Sequence, residues 1–105
     1  MKISPLEVDN VVLALTEDVA EAAAVGVPDP IYGERVVLFV VPKRERQGLA
    51  EDIKMYLAGE LPSYKCPSEV IFVEKIPQTA SGKVFRRQLV AEYIAHHGNH
   101  DQKSN

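Results

Sequence analysis

The sequence has one cysteine, Cys66, and no second thiol to pair with it. An internal disulfide is therefore excluded, and a cytoplasmic chain is expected. Positive charge is not in surplus: 12 Lys and Arg stand against 15 Asp and Glu, a formal charge of −3. A dedicated nucleic-acid binder shows the opposite balance. No unbroken apolar run approaches the ~20 residues of a membrane-crossing helix. No secretory pattern opens the chain either, because Lys2 is followed by helix-start chemistry where a signal peptide has an apolar core. Histidine is absent before residue 96. Cys66 thus lacks a base to lower its pKa, and a buried, inert thiol is expected. His96, His97 and His100 stand without cysteine or acid in fixed geometry, so they read as a frayed terminus and no metal site is expected. Internal repeats and low-complexity tracts are also missing.

What is present suits one small soluble domain. The 105 residues are 46% hydrophobic and 26% charged, ordinary values for a globular chain. The size is small for an enzyme that encloses two substrates, since such pockets usually lie between domains. The expected division is a domain over residues 1–95 and a disordered polar tail over 96–105.

Ser4-Pro5-Leu6-Glu7 reads as a helix start, with Ser4 as cap, Pro5 at the first helical position and Glu7 completing a capping box. Val8, Val11, Val12 and Leu15 follow at helical spacing. Ala22 to Val27 reads as a buried strand and Pro28 to Glu34 as a turn. The β-branched run Arg35 to Pro42 is the clearest strand, paired antiparallel with the first. Leu49, Ile53, Tyr56, Leu57 and Leu61 share one helical face, which Pro62 terminates. Val70 to Val73 forms a third strand, and Phe85, Leu89 and Tyr93, with Val90 and Ile94, form the stripe of a last helix. The predicted fold is α+β: a small three-stranded, largely antiparallel sheet with helices packed on it, in the order α-β-β-α-β-α.

Chemistry concentrates between Pro77 and Leu89. A small, flexible loop (Thr79, Ala80, Ser81, Gly82) delivers Lys83, and Arg86 and Arg87 follow one turn later. A lysine on such a loop reaches into a site that the domain itself does not contain, and its compact charge suits phosphate and carboxylate oxygens. A phosphate-binding P-loop is excluded, because Pro77 and Val84 stand where that motif needs glycine and Ser or Thr. Three cations without interleaved aromatics make a weak nucleic-acid case. A cation at a helix N-terminus is mildly unfavourable, by ~0.3–1 kcal/mol, so Lys83 there answers a functional demand better than a structural one.

Pro77, Gly82-Lys83 and Arg86-Arg87 together resemble the C-terminal signature of the adenylate-forming enzymes: acyl-CoA synthetases, peptide-synthetase adenylation domains and luciferase. Three further stretches resemble the same family in the same order. They are Lys2-Ile3-Ser4-Pro5-Leu6-Glu7-Val8-Asp9, Gly26 to Pro30 with Tyr32-Gly33-Glu34, and Tyr64-Lys65-Cys66-Pro67. In the family a glycine pair and a hinge precede the first of these, and this sequence begins at Met1 beyond them.

The resemblance implies the mobile C-terminal domain of an AMP-forming acyl-CoA synthetase, not active alone. A large N-terminal adenylation domain, in the same polypeptide or in trans, would bind ATP, Mg and a small carboxylic acid. Lys83 would be catalytic in adenylation, placed by Gly82. After rotation the opposite face would serve thioester formation with CoA, with Lys2 bordering the CoA channel. Lys83 would also match the lysine that is acylated in many acyl-CoA synthetases. A peptide-synthetase domain serving a carrier protein, or a free-standing interaction domain, is the alternative expectation.

Overall fold

The computed structural model describes residues 4–98, the side chains of the last two excepted. Helix α1 (Pro5–Val12) leads into strands β1 (Val19–Asp29) and β2 (Gly33–Pro42). Helix α2 (Leu49–Glu60), a short 3₁₀ turn (Ser63–Lys65), β3 (Glu69–Phe72) and α3 (Arg86–Tyr93) complete the order. The last helix continues through a wider π turn, Ile94–Gly98, into the stretch expected as a polar tail.

The sheet runs β1-β2-β3. β1 and β2 pair antiparallel along nearly their whole length, with an irregularity between Val19 and Glu21. β3 is short and joins β2 in parallel, from Val37–Glu69 to Val40–Phe72. A parallel neighbour needs a crossover connection, and α2 supplies it. The predicted α-β-β-α-β-α order holds. β1 extends three residues before and two beyond the predicted Ala22–Val27, because a long antiparallel partner rewards extension that alanine content alone does not announce.

Strand alternation builds two cores. Ala22 and Ala24 of β1 with Val36, Leu38 and Val40 of β2 face α1 and α2, meeting Val8, Val12, Ile53 and Leu57. Ala23, Val25, Val27, Val37 and Phe39 face the other way, onto Ile76, Leu89 and Tyr93. Both faces of β1 and β2 are thus buried, which explains their near-continuous apolar runs. The small alanines of β1 let the helices approach closely. Phe85 and Ile94, placed in the last stripe by spacing, stay outside the fully buried set, and Ile94 is exposed.

The predicted capping box does not form. Ser4 makes no side-chain cap, although its carbonyl accepts the Glu7 and Val8 amides at 3.1 and 3.4 Å. Glu7 turns instead to Lys65, whose Nζ lies 2.6 Å from its Oε1. A charged partner outcompetes a neutral backbone amide.

On the other side of α1, Asp9 is the buried charged residue of the described chain. Its Oδ1 accepts the Ala24 amide at 2.6 Å, and its Oδ2 lies 2.7 Å from Arg86 Nη2. Arg86 Nη1 donates to the Ala24 carbonyl at 2.7 Å. A residue in an antiparallel strand sends both backbone groups to the same side, so Ala24 points both away from β2. Asp9 and Arg86 therefore cap the outer edge of β1, where unpaired groups would otherwise invite another strand. Pro28 has the same parity as Ala24, so its missing N–H also falls on that free edge, where proline is tolerated.

Candidate functional site

Lys83 sits in a tight hairpin. Gln78 bridges Val84, the Thr79 amide donates to the Lys83 carbonyl at 2.7 Å, and the Gly82 amide donates to the Thr79 carbonyl at 2.9 Å. The Phe85 amide closes the base on the Pro77 carbonyl at 2.8 Å. Gly82 has φ +86°, the left-handed position that ends a three-residue hairpin loop. Thr79 Oγ1 lies 3.0 Å from Ser81 Oγ and 3.3 Å from the Lys83 amide, which donates to it. The loop expected to be flexible is thus a hydrogen-bonded turn, and glycine is there for its dihedral angle.

The Lys83 side chain is exposed, and no described residue pairs with its ammonium. It also lies ahead of α3: the helix begins at Arg86, with Phe85 as its cap residue. The first turn of that helix carries two cations, Arg86 and Arg87, and Asp9 pairs with the first of them. The predicted basic cluster therefore divides. Arg86 is turned inward and engaged by two partners, whereas Lys83 and Arg87 face solvent.

Two of the other signature stretches converge elsewhere. Tyr32, Glu34 and Arg35 from the β1–β2 end meet Ser63, Tyr64 and Cys66 around a cleft of about 490 Å³. No residue of the lysine hairpin lines it. Of its lining residues Tyr32 is 82% exposed and Tyr64 52%, and Ile31, next to Tyr32 in the chain, is 79% exposed. Asp29 shapes the loop that carries them: its Oδ1 accepts the Ile31 amide at 2.7 Å and the Tyr32 amide at 3.0 Å. These bonds from Tyr32 and Ile31 hold the Asp29 carboxyl below the usual carboxylate range.

Arg35 locks the same end to α3. It donates to Ser68 Oγ at 3.0 Å and to the Tyr93 hydroxyl, with its guanidinium 5.2 Å from the Tyr93 ring centre. Tyr93 in turn donates to Glu69 at 2.8 Å. Lys65 is held to Glu7, a bond that raises its pKa. Cys66 is partly buried, with Sγ 3.5–3.7 Å from the Pro62, Leu57 and Leu61 carbonyls. Burial pushes its thiol pKa up, the direction that suppresses nucleophilicity.

Of the expected site residues, Lys83 and Gly82 lie side by side in the hairpin. Lys2 lies outside the described residues, as do His100 and the side chain of His97. Among the described residues no group of His, Cys, Asp and Glu is arranged to hold a metal ion, and no helix is long and apolar enough to cross a membrane. Sequence reasoning missed the Asp9–Arg86 strap. Its signal was an acid set among Val8, Val11 and Val12, where burial demands a partner.

Comparison with known proteins identifies the family. Residues 7–83 match the AMP-binding enzyme C-terminal domain, and the chain belongs to that family. It is therefore a C-terminal domain of the adenylate-forming ligase superfamily. It is 42% identical over 94 residues to an oxalate–CoA ligase of Saccharomyces cerevisiae, covering 90% of this chain and 17% of that protein. A fatty acid–[acyl-carrier-protein] ligase of Streptomyces coeruleorubidus is 39% identical over 87 residues, covering 83% of this chain and 17% of its own length. Among solved structures, an acyl-CoA synthetase of Brucella canis superposes with TM-score 0.82 at 32% identity, covering 92% of this chain and 18% of that one. The chain spans less than a fifth of each of these relatives.

Proposed function

We propose that this domain is the mobile lid of an ATP-dependent, AMP-forming acyl-CoA synthetase. The observation that carries the reading is Lys83: a cation at an ordered hairpin, exposed and unpaired by any described residue. Such a group is built to meet negative charge on another body. In the proposed reaction a carboxylate oxygen attacks the α-phosphorus of ATP and pyrophosphate leaves. The Lys83 ammonium lies against the carboxylate and α-phosphate oxygens, where negative charge crowds, in a site closed to water. ATP, Mg and the small carboxylic acid belong mainly to the large N-terminal domain, covalently linked or in trans. The domain then rotates, withdraws Lys83 and presents the cleft between Tyr32, Glu34 and Tyr64. There the CoA thiol attacks the acyl-adenylate carbonyl and AMP leaves, with Lys2 beside the incoming CoA. One domain thereby serves two half-reactions through a conformational gate.

Lys83→Ala in the full-length ligase tests this. Adenylation should fall by orders of magnitude, while thioester formation from preformed acyl-adenylate continues. Equal loss in both steps would refute the assignment. The Streptomyces relative supports a second reading, in which the acceptor is a carrier-protein thiol. Supplying CoA and a phosphopantetheinylated carrier in competition, and weighing the two thioesters formed, separates the acceptors.

A further inference from the structure

We propose that Arg86 is a positioning residue for Lys83, fixing the lysine hairpin against α1 across the edge of β1. The inference rests on the reading of Lys83 given above. The bonds within the hairpin, Thr79 to Lys83 and Pro77 to Phe85, define its shape. They do not set its angle to the rest of the fold. On the incoming side Ile76 is buried among the core residues of one sheet face. On the outgoing side Arg86 follows directly after Phe85, and its guanidinium leaves the hairpin's own layer.

The fork ends on two groups at once: the Ala24 carbonyl at 2.7 Å and Asp9 Oδ2 at 2.7 Å. Asp9 belongs to α1 on the opposite face of the sheet, and its second oxygen accepts the Ala24 amide. A planar guanidinium holding two acceptors resists both translation and twist, which a lysine ammonium does not. Arg86 is only three residues from Lys83, so a pivot of α3's first turn moves the hairpin with it. Displacement of a catalytic group by about 1 Å costs on the order of 100-fold in rate. The thioester step, assigned to the cleft, has no residue in common with this strap.

The test is made in the full-length ligase with Arg86→Gln, Arg86→Lys and Asp9→Asn, assaying the half-reactions separately. Arg86→Gln should slow acyl-adenylate formation by roughly 10- to 100-fold. The KM values for ATP and acid should stay within about twofold, the mark of an interaction used in the transition state. Thioester formation from preformed adenylate should be unaffected. Arg86→Lys should rescue part of the rate, since it keeps the charge and loses the fork. Asp9→Asn keeps an oxygen for the Ala24 amide and removes the ion pair, so it should slow the same step and stands in if Arg86→Gln does not fold. Equal losses in both half-reactions, or unchanged adenylation, would overturn the proposal. Lys83→Ala run in parallel separates the two readings. If it leaves adenylation intact, both fall; if it abolishes adenylation while the Arg86 and Asp9 variants adenylate normally, only this one falls.

Discussion

Glu34 lies across Gly26, and a Cβ placed at position 26 would sit 2.5 Å from Glu34 Cδ and Oε2. The two residues are diagonal neighbours on the paired strands, since Gly26 faces Val36 and Pro28 faces Glu34. Glycine at 26 thus makes room for an acid that lines the cleft. Gly26→Ala should push the carboxyl aside, because the far end of a glutamate gives way more readily than backbone. The stability change should remain within about 1 kcal/mol, read by urea unfolding, while under the proposed function thioester formation by the full-length ligase slows and adenylation holds. A loss of several kcal/mol would mean that the strand itself must move.

The elements were legible where local pattern and tertiary demand coincide. The β-branched run of β2 and the stripe of α2 announce themselves. The full length of β1 was not legible, because alanine says little about strand and the pairing partner decides. Lys83 stood out as a Gly-Lys pair in a turn of small residues. Arg86 was read with it as one basic cluster, since adjacency in sequence hides an acceptor 77 positions away. Glu7 looked like a cap for the same reason: its true partner, Lys65, lies 58 positions on. Local chemistry showed which residues carry charge, and only the fold shows which charges are already spent.

Gly82 offers a clean test of backbone strain. Its φ is +86°, and a Cβ there would touch nothing within 4 Å. Gly82→Ala therefore adds no clash and only forces an L-residue into the left-handed region, at about 1–2 kcal/mol. Gly82→Asn should cost less, because asparagine tolerates that conformation better. Chemical denaturation of the three proteins should rank them glycine, asparagine, alanine. Equal stability of the alanine and asparagine variants would show that the hairpin rearranges instead of straining.

Lys83 and Arg86 should separate in stability as they do in contacts. Lys83→Ala removes an exposed side chain that no described residue pairs with, so unfolding should shift by no more than about 0.5 kcal/mol. Arg86→Ala strands the carboxylate of Asp9, whose side chain is 7% exposed. Breaking one side of a buried pair costs ~3 kcal/mol or more, less here to the extent that Arg86 reaches solvent. Urea midpoints of the two variants measure the contrast. A Lys83→Ala variant as unstable as Arg86→Ala would make the lysine part of the architecture.

Asp29 predicts how the cleft end responds to acid. Its carboxylate accepts the Tyr32 and Ile31 amides, and those bonds lower its pKa in the folded chain. A lowered folded pKa means that the native state holds the proton more weakly than the unfolded chain does. The stabilisation is therefore complete above the ordinary carboxylate value of about 3.9. It is lost as pH falls through the depressed folded value. The substitution Asp29→Asn would offer the same two amides an oxygen without charge, so the contribution of the amide side chain does not titrate. The thermal stability of wild type should exceed that of Asp29→Asn at about pH 6, and the gap should narrow steadily below about pH 4. A gap that stays constant down to about pH 2.5 would mean that the difference between the two side chains does not come from the charge of Asp29. In that case the projection of Ile31 and Tyr32 beside the cleft rests on hydrogen-bond geometry alone.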